Sequence, residues 1–156
     1  MRLDEAGLMR WGARIGESIE RPAVLALSGP LGAGKSVLAR AVGSGAAVAG
    51  PMPSPSFNLL FRYPAASGTE VVHLDLYRIE SPDELWELGW GEVGTGNEIV
   101  LVEWPEHAGR LLPPDHWWIE LSVPHGRPHE RDVEVRRVGR PPILTGFPVS
   151  VSAASR

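Results

Sequence analysis

Hydrophobic and polar positions along this chain change their period several times, and each change marks an element. Leu3, Leu8, Trp11, Ile15 and Ile19 recur at helix-like spacing, which predicts an amphipathic helix over residues 3–20, ended by Pro22. "AVLALS" (23–28) is an unbroken apolar run and reads as a buried strand. The segment from Gly29 to Gly34 is a glycine-rich turn, and "KSVLARAVG" (35–43) reads as the helix after it. Small residues and prolines over 43–55 predict a loop. "FNLLFRY" (57–63) and "TEVVHLDLYR" (69–78) read as strands joined by "PAASG". "SPDELWELG" (81–89) predicts a helix opened by a capping box, with Ser81 as N-cap, Pro82 at N1 and Glu84 at N3, and stopped by Gly89. "EIVLVEW" (98–104) is a further buried strand. "HWWIELSVP" and "RDVEVRRV" alternate on either side of "HGRPHE", which predicts an antiparallel hairpin. Residues 1–139 are expected to form one domain, and residues 140–156 a loosely attached tail.

Composition narrows the classes. The chain has 156 residues, 43% hydrophobic and 22% charged, which is ordinary globular usage. A net charge of −4 gives no global reason to expect nucleic-acid binding. The absence of cysteine excludes disulfides and thiolate zinc sites. No stretch approaches a membrane-spanning length, and the N-terminus has no apolar leader, so the expected location is cytoplasmic.

Of the 15 lysine and arginine residues, a single one is lysine, Lys35. It lies in Gly29-x-x-x-x-Gly34-Lys35-Ser36, the phosphate-binding loop pattern, with an apolar strand before it and a helix after it. Glycines let successive backbone N–H groups curl toward phosphate oxygens, and the helix start adds partial positive charge. A compact ammonium reaches the β and γ phosphates where the wide fork of arginine would fit poorly. The Ser36 hydroxyl is the expected Mg²⁺ ligand. The nucleotide-binding stretch thus comprises Gly29, Pro30, Leu31, Gly32, Ala33, Gly34, Lys35, Ser36 and Val37. Such a site needs a carboxylate at the end of a buried strand. Glu103 closes "IVLVE", and Asp75 closes "VVHLD", where His73, Asp75 and Tyr77 share one strand face. The guanine-reading N/T-K-x-D element needs a second lysine, so ATP is the expected nucleotide.

"LSGPLGAGKS", "SPSFNLLFRY", "VVHLDLYRIESPDELWELG" and "IVLVEWPEHAGRLLP" stand in the order and spacing of the TsaE (YjeE) family, and the resemblance runs from about residue 23 to 114. The H-x-D-L-Y-R and E-W-P elements make it more specific than the glycine loop alone. What the resemblance implies is an α/β fold: a P-loop NTPase-like three-layer sandwich with a mostly parallel sheet, here extended by the C-terminal antiparallel hairpin. It implies ATP hydrolysis in partnership with the TsaB–TsaD heterodimer, which places a threonylcarbamoyl group on an adenosine of certain tRNAs, with tRNA contacted through the complex. By motif, Lys35 holds phosphate, Ser36 ligates Mg²⁺, Asp75 and Glu103 are the acids that divide Mg²⁺ anchoring and water positioning between them, and Trp104 sits beside them. Ser54 and Ser56 resemble the family's switch-like S-P-T loop near the γ-phosphate. Serine replaces the family's usual threonine at both position 36 and position 56, keeping the hydroxyl.

Other features carry less. Tyr77 and Arg78 suit either a γ-phosphate or partner contact, or a solvated strand end. His125 and His129 have metal-like spacing, but Gly126 and Pro128 argue against the helix it needs. Arg127, Arg131, Arg136, Arg137 and Arg140 read first as an exposed arginine-rich hairpin, and second as a tRNA or partner patch. At most one of Trp117 and Trp118 belongs in a core. Two other functions remain open at this level: a small-molecule or nucleoside kinase, and a nucleotide-sensing module without catalysis.

Overall fold

The computed structural model describes residues 1–53, 55 and 59–144. Its centre is the apolar run read as a strand, β2 (Ala23–Ser28), buried at every position. β5 (Glu98–Glu103) and β6 (His116–Ser122) flank it, both parallel to it. β4 (Glu70–Asp75) is parallel to β5 on the far side, and β3 (Leu60–Pro64) closes that edge antiparallel to β4. On the other side β7 (Glu130–Val138) returns antiparallel to β6, and β1 (Arg2–Asp4) pairs with β7. The seven strands run in the order β1-β7-β6-β2-β5-β4-β3.

The two sequence patterns explain this order. Strands that are apolar throughout need cover on both faces and lie in the middle. The alternating hairpin lies to one side, with Trp117, Ile119 and Leu121 inward and Glu120 and Ser122 outward. One face of the sheet is covered by α1 (Glu5–Ser18) and α2 (Lys35–Gly45). Leu8, Trp11, Ile15, Leu38 and Val42 from these helices pack on Leu25, Leu27, Leu101 and Ile119. Each such buried side chain contributes roughly 1.5–3 kcal/mol. The two helices approach closely at Gly16, where a Cβ would overlap the Val42 carbonyl. The opposite face, built from Val24, Val72, Leu74, Val100 and Val102, is covered by shorter pieces that bring Leu85, Trp90, Val93 and Ala108. These pieces are α3 (Glu84–Glu87) and 3-10 segments at Trp90–Glu92 and Pro105–Leu111. The layers are therefore helix, sheet and an irregular third layer.

Several expected boundaries move. The first helix starts at Glu5, not residue 3: Asp4 caps it by accepting the Gly7 N–H at 2.7 Å, and Leu3 lies on β1. The strand expected over 69–78 stops at Asp75, whose side chain accepts the Tyr77 N–H at 3.0 Å and turns the chain. The helix expected over 81–89 shrinks to α3, with Asp83 as its cap and no side-chain capping bond. Ser81 instead accepts the Asp83 N–H through its hydroxyl at 3.4 Å and the Glu84 N–H through its carbonyl at 3.1 Å, which makes a turn, not a box. The strand expected over 57–63 is described as β3 from Leu60 onward, residues 57 and 58 lying outside the described residues. Of the segment read as a tail, the Arg140 N–H donates to Asp115 at 2.7 Å. The Pro142 carbonyl accepts from Trp117 Nε1 at 2.8 Å, and Leu144 is buried.

Candidate functional site

β2 ends at Ser28, and the glycine-rich loop turns directly off its carboxyl end into α2. Gly29 has φ +143°, and a Cβ there would overlap the Leu121 carbonyl of β6, so the loop's first position accepts only glycine without a shift. Gly34, left-handed at φ 102°, precedes α2, and no side chain caps that helix. Its first-turn N–H groups, which have no partner within a helix, therefore face the loop and are available to an anion.

Lys35 is 5% exposed. Its ammonium donates to the loop's own carbonyls, Gly29 O at 2.5 Å and Pro30 O at 2.9 Å, and lies 4.3 Å from the centroid of the Trp104 ring. Burial lowers its pKa, against the pull of Glu103, Asp75 and Glu106. A further negative group would be welcome here, since the three local carboxylates only partly offset the desolvation.

The strand-end acids meet because of register. Parallel pairing sets Leu27 opposite Glu103, and Glu103 opposite Asp75, at the edge of the sheet from which the loop departs. Glu103 is 3% exposed. It accepts the Ser36 hydroxyl at 2.9 and 3.2 Å, and lies 2.6 Å from Nε2 of His73, which has no exposure at all. The imidazole thus holds the carboxylate from below while the loop hydroxyl holds it from above. Asp75 is more open. Burial raises its pKa and Glu103 adds to the rise, while the Tyr77 N–H, His73 and Lys35 pull it down. Next to these, Ser28 donates its hydroxyl to Glu106.

Trp104 follows Glu103 with φ 57°, an uncommon conformation for a large residue. It stacks obliquely on Tyr77 at 5.0 Å and on His107 at 5.9 Å. Its ring therefore forms a wall beside Lys35 and also packs, partly buried, against the apolar cluster on that face of the sheet. Lys35, Ser36, Asp75, Tyr77, Glu103 and Trp104 line one cavity of about 400 Å³. Among the described residues no group of three or more His, Asp or Glu side chains could hold a metal unaided. The Ser36 hydroxyl and the Glu103 carboxylate are hard oxygen donors of the kind Mg²⁺ takes, with its remaining positions filled by phosphate oxygens and water. The donor set fits that ion.

The structure thus gathers Gly29 through Val37, Asp75, Glu103 and Trp104 into one place. Ser54 and Ser56 lie outside the described residues. His125 and His129 form no metal cluster among the described residues. Sequence reasoning missed two participants. His73 showed only as a break in an apolar run, though its placement on the Asp75 face was the available signal. Arg131, read with the hairpin, lies over the glycine loop and donates to Ala33 O at 3.0 Å and Gly32 O at 3.2 Å.

A parallel-centred sheet, a glycine loop entering a helix and acids at the neighbouring strand ends together define an α/β fold of the phosphate-loop class. The family model described as "Threonylcarbamoyl adenosine biosynthesis protein TsaE" matches residues 3–133, and the chain belongs to that family. It is similar to three proteins named "tRNA threonylcarbamoyladenosine biosynthesis protein TsaE". The one from Mycobacterium tuberculosis strain H37Rv is 40% identical over 118 residues, 71% of this chain and 70% of the relative. That from Haemophilus influenzae is 34% identical over 115 residues, 70% of this chain and 72% of the relative. That from Rickettsia conorii is 38% identical over 105 residues, 64% of this chain but only 57% of the relative's length. The crystal structure of Bacillus subtilis YdiB superposes with a TM-score of 0.71 at 23% identity, covering 89% of this chain and 84% of that one, and shows the same fold. No helix among the described residues is long and apolar enough to cross a membrane.

Proposed function

We propose that this chain is a cytoplasmic Mg²⁺-dependent ATPase, one domain over residues 1–139, which hydrolyses ATP in support of tRNA threonylcarbamoyladenosine modification by the TsaB–TsaD pair. The observation that carries the reading is the hydrogen bond from Ser36 to Glu103. It joins the loop hydroxyl to a buried strand-end acid, 67 residues away in sequence, beside the chain's single lysine. Membership of the TsaE family supports the pathway and the partners.

The residues divide the work as follows. The loop N–H groups and the start of α2 bind the phosphates. Lys35 exchanges its two carbonyl acceptors for β and γ phosphate oxygens, which adds charge to the field of Glu103, Asp75 and Glu106 that now only partly offsets its burial. Ser36 and Glu103 would hold Mg²⁺, with Asp75 close by, and His73 keeps the Glu103 carboxylate oriented. When bound, the ion neutralises charge on the β and γ phosphates. Asp75, whose pKa is raised by burial, orients a water molecule and takes its proton. The water oxygen bonds to the γ-phosphorus as the bond to the β–γ bridging oxygen breaks, and ADP and phosphate leave. Trp104 and Tyr77 screen this point from bulk solvent.

The test is ATP turnover by the purified chain with Mg²⁺, alone and with TsaB–TsaD, against Lys35→Ala. Slow turnover that rises with the pair and disappears in the variant is expected. A rate indifferent to both the pair and the lysine would overturn the proposal.

A further inference from the structure

Two serines bracket the glycine loop. Ser28 is the last residue of β2, directly before Gly29, and Ser36 directly follows Lys35. Each donates its hydroxyl to a carboxylate, Ser28 to Glu106 and Ser36 to Glu103. Both acids belong to one short segment, Glu103-Trp104-Pro105-Glu106. The end of β5 and the turn after it therefore grip the loop at both of its ends, across 78 and 67 residues of chain. The gripping segment is itself fixed. Pro105 and Ala108 are buried. The Leu76 N–H donates to Glu103 O at 3.0 Å, and His107 Nδ1 donates to Leu76 O at 2.6 Å. Trp90 Nε1 donates to Leu111 O at 2.8 Å. A hydrogen bond made to so firm a base can hold a loop in place.

The near grip bears on the lysine. Ser28 is 6% exposed, so its hydroxyl has little water to turn to in place of Glu106. The next residue, Gly29, supplies one of the two carbonyls that hold the Lys35 ammonium. A shift at the root of the loop therefore moves the lysine with it. Glu106 does not line the cavity that Lys35, Ser36, Asp75 and Glu103 share, so it is not placed to touch phosphate. Its charge nonetheless reaches the Lys35 ammonium, whose pKa it helps to hold up against burial. We propose that Glu106 is a positioning residue: through Ser28 it fixes the root of the glycine loop, and with it the place from which Lys35 reaches the phosphates. Ser36 and Glu103 would be engaged by Mg²⁺, whereas Ser28 and Glu106 would keep their bond with the ion present. This rests on the phosphate-loop reading above and adds a residue that touches neither nucleotide nor ion.

The test is calorimetric titration of the full chain with inorganic tripolyphosphate and with Mg·ATP, well below the melting temperature of every protein compared. The variants are Ser28→Ala, Glu106→Ala, Glu106→Gln and the double alanine variant. Either single alanine is expected to weaken both ligands by about tenfold, the factor that corresponds to one hydrogen bond to a charged group. The double variant should lose no more than either single one, because both remove the same bond. Glu106→Gln keeps an acceptor for the serine and is expected to keep most of the affinity. Losses that add in the double variant, or a silent Ser28→Ala, would show that Glu106 acts on Lys35 by charge alone, and would overturn the proposal. Glu106→Gln binding as weakly as Glu106→Ala would do the same. Variants that melt earlier but bind as the wild type does would reduce the bond to a strut of the fold, and also overturn it. Failure of the wild type to bind either ligand would overturn the phosphate-loop reading, and this proposal with it.

Discussion

Truncating Glu103 to alanine strands the imidazole of His73. That ring is wholly buried, its Nδ1 has no hydrogen-bond partner among the described residues, and Glu103 is the acceptor for its Nε2. The Ser36 hydroxyl, which also loses its acceptor, lines the cavity and can turn to water, so the imidazole dominates the cost. A buried donor left unpaired costs about 1–3 kcal/mol. At about 2–4 °C per kcal/mol for a chain of this size, the melting temperature falls by roughly 2–12 °C. His73→Phe is the complementary change: it keeps the ring's volume but leaves a carboxylate of 3% exposure with the serine alone. The double variant removes both partners, and replacing both by apolar groups is close to neutral. It should therefore be more stable than the sum of the two single losses predicts, by at least about 1 kcal/mol. Urea titrations of the four proteins, followed by circular dichroism without nucleotide, measure that coupling. Additivity within about 0.5 kcal/mol would refute the claim that His73 and Glu103 act as a unit.

Two further outcomes follow from the same cluster. The Asp75 carboxyl titrates above its ordinary 3.8 because burial and Glu103 disfavour its charge, so the folded chain keeps a proton that the unfolded chain has lost. That contribution to stability is present below pH 3.8 and disappears as the pH rises through the folded value. Asp75→Asn should gain on the wild type as the pH climbs from there toward neutrality in denaturant titrations, and parallel curves would contradict the assignment. Lys35 lies 4.3 Å from the Trp104 centroid, so phosphate binding that draws the ammonium away should change tryptophan emission. Trp104→Phe should abolish that response to tripolyphosphate in a fluorescence titration, and a response that survives would place the lysine's movement elsewhere.

The loop and its lysine were legible because a phosphate cradle is local: one strand, one turn and one helix start, contiguous in the chain. Asp75 and Glu103 were legible as acids closing apolar runs. That they are neighbours was not, since it depends on β4 and β5 pairing in parallel with these two residues opposed. The capping box at Ser81 misled because the same side chain that caps a helix can close a turn. β1 was invisible for a different reason. Three residues carry no period, and their partner is the last strand of the sheet in chain order, pairing Leu3 with Arg131.

Local chemistry in the chain was thus enough to assign the fold class and the family, and to single out the glycine loop and the two strand-end acids as candidates. Each of those rests on side-chain identity within a few residues. The environment of each group was decided only by packing. His73 became a support for Glu103 when the centre of the sheet closed over it. Trp104 became a wall beside Lys35 through an unusual backbone angle at the end of β5. Arg131 came to the glycine loop because the β6–β7 hairpin register turns positions 131, 133 and 135 to the helix-covered face. Strand register and strand order are global quantities. They are set by which apolar faces can be buried together, and no short stretch of sequence contains that comparison.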